Sequence, residues 1–207
     1  MSVFNEVTAA TVSGALAFGM VLTLLGSLKL ALGKRMNSAS EEGIEVRVAW
    51  LMFAFNLALI PTMLLSGILL YSIQAAPLMA LGSVLTAISL FILAWTARGQ
   101  TDFRRAWLAI LVLGLGGACL STSSIVLMPK AFFRGAPNQI TAAITLGHVF
   151  VGLGMLLMPV LADLLLNTIK FRRTLAVLGV LALAPLAFVL LTNGSAFDVS
   201  KSFTLQP

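Results

Sequence analysis

Charge is what this chain has least of. Only 10% of its 207 residues are Asp, Glu, Lys or Arg, against about 25% in an ordinary soluble domain. Such a chain cannot coat a water-facing globule, and a mean hydropathy of +1.05 places it in a bilayer. A single cysteine, Cys119, excludes an internal disulfide and a cysteine-based metal cluster. A single histidine, His148, has no carboxylate at membrane depth to pair with, and no nucleophile motif surrounds any serine. The chain is therefore expected not to be an enzyme, and to need no cofactor and no metal. The first apolar run lacks a small-residue cleavage site, so it reads as an uncleaved insertion signal. No segment alternates with period two, which argues against a β-barrel. The net charge of +6 is not a nucleic-acid footprint, because the basic residues stand at the ends of apolar runs, where headgroups lie.

What is present is six apolar runs, near 8–32, 48–73, 77–97, 104–128, 139–166 and 173–192. Each reaches the ~20 residues that span a ~30 Å hydrocarbon core. Short connections make consecutive helices antiparallel neighbours. The expected fold is all-α: a polytopic membrane bundle of six transmembrane helices over residues 1–195, with a polar tail at 196–207. Its first partner is the lipid bilayer, and its expected location is the cell (inner) membrane.

Small and polar residues recur at helical spacing. The run from 114 to 159 reads GLGGACLSTSSIVLMPKAFFRGAPNQITAAITLGHVFVGLGMLLMP. Gly114, Gly117, Ser121 and Ser124 form one stripe on the fourth helix. On the fifth, Thr141, Thr145, His148 and Gly152 form a polar stripe, beside a small-residue stripe of Ala143, Gly147 and Gly154. Small residues let helix backbones approach closely in lipid, and hydroxyls can bond across the contact. The first helix repeats the pattern with Gly19, Thr23 and Ser27. The second carries Asn56 and Pro61, the amide requiring a partner and the proline bending the helix. The third reads as a lipid-facing or supporting helix. Pro129 and Lys130 are expected in the turn before the fifth helix, and Pro185 is expected to kink the sixth. The loop GKRMNSASEEGIEVR reads as solvated, and Asp163 is placed within reach of Lys170, Arg172 and Arg173.

Six helices in this order resemble the amino-terminal half of a major facilitator superfamily transporter. The likeness covers nearly the whole chain. It is carried by GMVLTLLGSLKLAL in the first helix, GLGGACLSTSS in the fourth, and the Gly147, Gly152, Gly154, Pro159 series in the fifth. The family's signature loop between the second and third helices, roughly G-x-L-x-D-R-x-G-R-R, is degenerate here. Gly67 and Leu69 fit. Tyr71 replaces the acid, Ser72 the arginine, Gln74 the glycine, and Ala75 and Ala76 the basic pair. The family's helix-4 arginine would fall at Ile110. The charge network that latches the family's two halves has no counterpart in this loop.

The resemblance implies transmembrane transport of a small neutral or amphipathic solute through a cavity lined by the first, second, fourth and fifth helices. The expected lining residues are Thr23, Asn56, Ser121, Ser124, Thr145 and His148, all looking into one shared hollow. A half-size chain is expected to need a second half, as a homodimer or a hetero-subunit. The alternative is a non-transporting membrane subunit or scaffold derived from a transporter half, or the product of a split gene. Orientation has two readings. The family places the amino terminus in the cytoplasm. The basic residues argue the reverse: Lys130, Arg134 and Lys201 lie on the side of the termini, whereas Lys34, Arg35, Arg47, Arg98, Arg104, Arg105, Lys170, Arg172 and Arg173 lie opposite.

Overall fold

In the computed structural model, residues 3–35, 41–70, 72–97, 102–133, 136–192 and 197 are described. They form helices α1 (Val3–Arg35), α2 (Glu41–Leu69), α3 (Ala75–Thr96), α4 (Phe103–Phe133), α5 (Ile140–Thr168), α6 (Phe171–Leu181) and α7 (Ala184–Leu191). Six stretches are long and apolar enough to cross a membrane, the last being α6 and α7 together over Phe171–Leu191. The protein is an integral, multi-pass bundle, as composition requires. The tail at 196–207 lies outside the described residues except for Phe197, which is fully buried.

The bundle is built around α4. It packs on α1, α2, α3 and α5, while α1 also packs on α5, α2 and α7, and α3 on α6 and α7. Burial follows: 67% of the membrane-spanning window of α4 is buried, but only 17% of that of α5. The buried face of α5 is the single stripe Ala143, Gly147, Val151, Gly154, Met158 and Ala162, which contains the whole small-residue series read from the sequence. Along α4, Gly114, Gly117, Ser121 and Ser124 are all buried too.

Glycine sets how close these helices come. A methyl added at Gly19 of α1 would collide with the Val151 carbonyl of α5, and one at Gly154 of α5 with the Leu16 carbonyl of α1. The two backbones therefore touch reciprocally, each carbonyl lying over the glycine opposite. Such Cα–H···O contacts contribute about 0.5–1 kcal/mol each. At the α3–α4 crossing, a methyl on Gly82 would lie 2.8 Å from the Leu120 amide nitrogen, and one on Gly116 2.5 Å from the Thr86 hydroxyl. Where α2 meets α4, a methyl on Gly114 would lie 2.5 Å from the Phe55 carbonyl.

Several expectations are corrected. Helix α3, expected as lipid-facing or supporting, has both faces: Ser83, Thr86 and Ser89 are completely buried against the rest of the bundle, while Leu81, Ile88 and Trp95 are exposed. The sequence shows no long apolar face distinct from the others there, so its partner could not be read. Pro129 and Lys130 belong to α4, which continues to Phe133; the basic turn is shorter than its composition implied. The acidic part of the first loop is helical, since α2 begins at Glu41. There Glu45 accepts a 2.8 Å ion pair from Lys29 of α1. Asp163 accepts a hydrogen bond from Asn167 one turn on, at 3.1 Å. The sixth span is broken as expected: α6 stops at Leu181 and α7 restarts with Pro185 in its first turn.

These contacts predict a contrast between glycines. Gly19→Ala should lower stability by about 1–3 kcal/mol, because the backbone opposite must move. Gly26 and Gly152 have nothing within reach of an added methyl. Alanine there should be neutral or stabilising by up to about 1 kcal/mol through helix propensity. Denaturant titration of the three variants in detergent checks the order.

Candidate functional site

The six expected lining residues divide into three groups. Ser121 and Ser124 are buried in the centre of the bundle, 2% and 1% exposed, and neither hydroxyl has a hydrogen-bond partner. Ser124 Oγ points at Gly14 of α1, where an added methyl would overlap it. This hydroxyl is packed against a backbone, with no open space before it. Buried hydroxyls of the same kind occur at Ser83, Thr86 and Thr174; the sequence reading passed over these three as candidate site residues, and α3 supplies two of them.

Thr23 has a specific structural task. Its single O–H is shared among the Met155 carbonyl of α5 at 3.3 Å and, on its own helix, the Gly19 and Met20 carbonyls at 3.3 and 3.5 Å. Met155 stands four residues before Pro159. Proline has no N–H, so the Met155 carbonyl loses its helical donor, and in lipid a freed carbonyl must find another within the protein. Thr23 supplies it from the neighbouring helix. Two similar bonds tie other seams. Thr8 Oγ1 donates to the Ala131 carbonyl in the last turn of α4 at 2.8 Å, where helical donors run out. Ser89 Oγ donates to the Ala109 carbonyl at 2.7 Å, joining α3 to α4. Ser66 of α2 and Cys119 of α4 lie 3.7 Å apart, oxygen to sulfur.

Asn56, Thr145 and His148 form the third group, and they correct the expectation of a single inward hollow. All three are exposed, on helices α2 and α5. Each bonds to its own helix one turn back. Asn56 Nδ2 donates to the Met52 carbonyl at 2.8 Å, Thr145 Oγ1 donates to the Thr141 carbonyl at 2.9 Å, and His148 Nδ1 lies 2.8 Å from the Ile144 carbonyl. Local bonding of this kind lets a polar side chain stand outside a packed core. It leaves the second N–H and the oxygen of Asn56, and Nε2 of His148, for a partner beyond this chain. Their neighbours on the surface are large apolar groups, among them Phe53, Leu57 and Ile60 on α2 and Val149, Leu153 and Leu156 on α5.

No cavity among the described residues gathers the six. A small, partly open cleft of about 30 Å³ is lined by Met20, Val21, Leu24, Thr86, Met158 and Leu178, among others, and so belongs to the packing of α1 against α3, α5 and α6. The described residues hold no cluster of His, Cys, Asp or Glu fit for a metal ion. What fold and site define together is a six-span membrane protein with a hydroxyl-studded core and polar groups on two outer helices. No protein-family model matches the chain, and a search of curated proteins finds no match.

The Thr23 bond predicts a coupling. Thr23→Val should destabilise the protein by about 0.6–1.7 kcal/mol, the range for hydrogen bonds between helices in membranes. In a Pro159→Ala background the loss should shrink, because the alanine N–H at that position returns a helical donor to the Met155 carbonyl. A double-mutant cycle by chemical unfolding measures it; an unchanged Thr23→Val effect would refute the role. Ser121→Ala, which removes a hydroxyl without a partner, should cost nothing measurable.

Proposed function

We propose that this chain is a half-size transporter of the major facilitator type, moving a small neutral or amphipathic solute across the membrane. The cavity would be completed by a second six-helix body set against α2 and α5. One observation carries the reading: Asn56, Thr145 and His148 stand exposed on α2 and α5, whose membrane windows are only 33% and 17% buried, with α1 and α4 packed between those helices. A single bundle cannot wrap a solute with groups placed there, and two can. The order of the glycine-rich helices supports the same reading. Near-absence of charge among the six candidates favours an uncharged ligand.

The test is uptake by the purified chain in liposomes, with a panel of neutral and amphipathic fluorescent solutes. His148→Ala and Asn56→Ala should each lower uptake more than tenfold while leaving thermal unfolding unchanged, since neither side chain is packed in the core. Unchanged uptake in both variants argues strongly against the reading.

A non-transporting subunit is the second reading. It is favoured by the self-contained hydrogen bonds of the same three side chains, which suit a surface resting against lipid or a protein partner. The stretch after α2, with Tyr71, Ser72, Ala75 and Ala76 in place of charged residues, favours it too. Co-purification with a different membrane protein at fixed stoichiometry would support this reading, and a transport-active homodimer would exclude it.

A further inference from the structure

An open groove lies on the molecule away from the polar residues of α2 and α5. It has a volume of about 380 Å³ and is lined by Ile88, Phe91, Ile92, Trp95 and Thr96 of α3 and Arg105 of α4. The α3 residues recur at three- and four-residue steps, so they form one face. From Ile88 to Thr96 that face runs about 12 Å along the helix, most of the depth of one leaflet of a ~30 Å hydrocarbon core. Gly179 of α6 shapes its wall. A methyl at Gly179 would lie 3.2 Å from the Phe91 ring, so the glycine lets the ring lie back against α6.

Chemistry changes sharply at the mouth of the groove. Trp95 is 67% exposed there, in the position of an interfacial anchor. Arg105 stands beside it with its side chain 68% exposed. The nearest acid is Asp102, whose Oδ2 is 3.8 Å from Arg105 Nε and whose Oδ1 accepts the Arg104 backbone N–H at 3.1 Å. That carboxylate caps α4 and touches the guanidinium only loosely, leaving most of the fork's donors for another acceptor. Exposed Arg104 adjoins it, and exposed Arg172 and Arg173 open α6, the helix packed on α3. Thr96 bonds to the Leu93 carbonyl at 3.0 Å and adds no demand for a polar ligand.

We propose that this groove is a binding site for one anionic phospholipid, with an acyl chain along Ile88, Phe91 and Ile92 and the phosphate on Arg105. The assignment rests on charge complementarity: an apolar channel most of a leaflet deep ends at Arg105, the one charged residue lining it, with a single weakly engaged acid beside it and exposed Arg104, Arg172 and Arg173 at the helix starts on the same side of the bundle. A partner helix would meet those arginines with its own polar terminus, whereas a phospholipid presents chain and anion in the required order. The site is separate from the candidate residues of α2 and α5, so its test does not depend on transport.

Native mass spectrometry of the full chain tests it, after equilibration in mixed micelles with equal amounts of dioleoyl phosphatidylglycerol and dioleoyl phosphatidylcholine. The expected result is one retained phosphatidylglycerol, favoured at least fivefold over phosphatidylcholine. Arg105→Gln should lower that preference about fivefold, the effect of removing one cation near a membrane surface. Ile92→Trp, which fills the channel, should lower retention with the arginines intact. Lys130→Gln, at the opposite end of the bundle, should change nothing. Excess glycerol 3-phosphate should not displace the lipid. Equal retention of the two lipids, an unaltered preference in Arg105→Gln, an equal loss in Lys130→Gln, full retention in Ile92→Trp or displacement by glycerol 3-phosphate would each overturn the assignment.

Discussion

The seam between α1 and α5 rests on two facts about backbone groups in lipid. The helices can touch only where side chains are absent, and Gly19 and Gly154 provide that point. Any carbonyl deprived of its helical donor must be satisfied from within the protein, and the Thr23 hydroxyl does this for Met155 beside Pro159. The two conditions depend on each other. A threonine side chain is short, so it reaches the neighbouring carbonyl only because the glycines bring the backbones together. Without the seam, α5 would keep little more than its contact with α4, since it is the least buried of the spans.

The same logic recurs at the other contacts with different residues. On α3 and α4, Gly82 and Gly116 permit close approach, and Ser89 bonds to Ala109 across the gap. At the end of α4, Thr8 meets the Ala131 carbonyl. Lipid tails are as apolar as the side chains they would replace, so helix association draws on packing and on these bonds rather than on expulsion of water. This explains why a chain with so few charges still places many hydroxyls inside. They are short enough to fit between close backbones, and some of them, such as Thr11, Ser89 and Ser123, bond to a carbonyl of their own or an adjacent helix.

Polar residues in this bundle therefore carry two meanings. Those beside glycines serve cohesion, as Thr23 and Ser89 do. Those on α2 and α5 face away from the core and serve whatever lies outside it. The distribution gives the protein two distinct exterior regions: sparse polar groups among apolar side chains on α2 and α5, and an apolar channel ending in arginines on α3 and α4. The first region supports a half-transporter reading, and the second is suited to a charged lipid.

Number, length and approximate limits of the spans were legible in the sequence, because each is a run of apolar residues as long as a bilayer is thick. So were the buried stripes of α4 and α5, since small residues at helical spacing have few other uses in lipid. The break near Pro185 was legible for the same local reason. The direction in which each polar side chain faces was not. Asn56, His148 and Thr23 have similar surroundings in sequence, yet two lie outside and one bridges helices, because that choice depends on which neighbour packs on which stripe. Which face of α3 is buried was equally hidden: an apolar helix suits lipid and protein alike, and the fit of Gly82 against Gly116 turns that face toward α4. Hydrophobicity is a property of one segment and can be read along the chain, whereas facing is a relation between segments that exists only once they have packed.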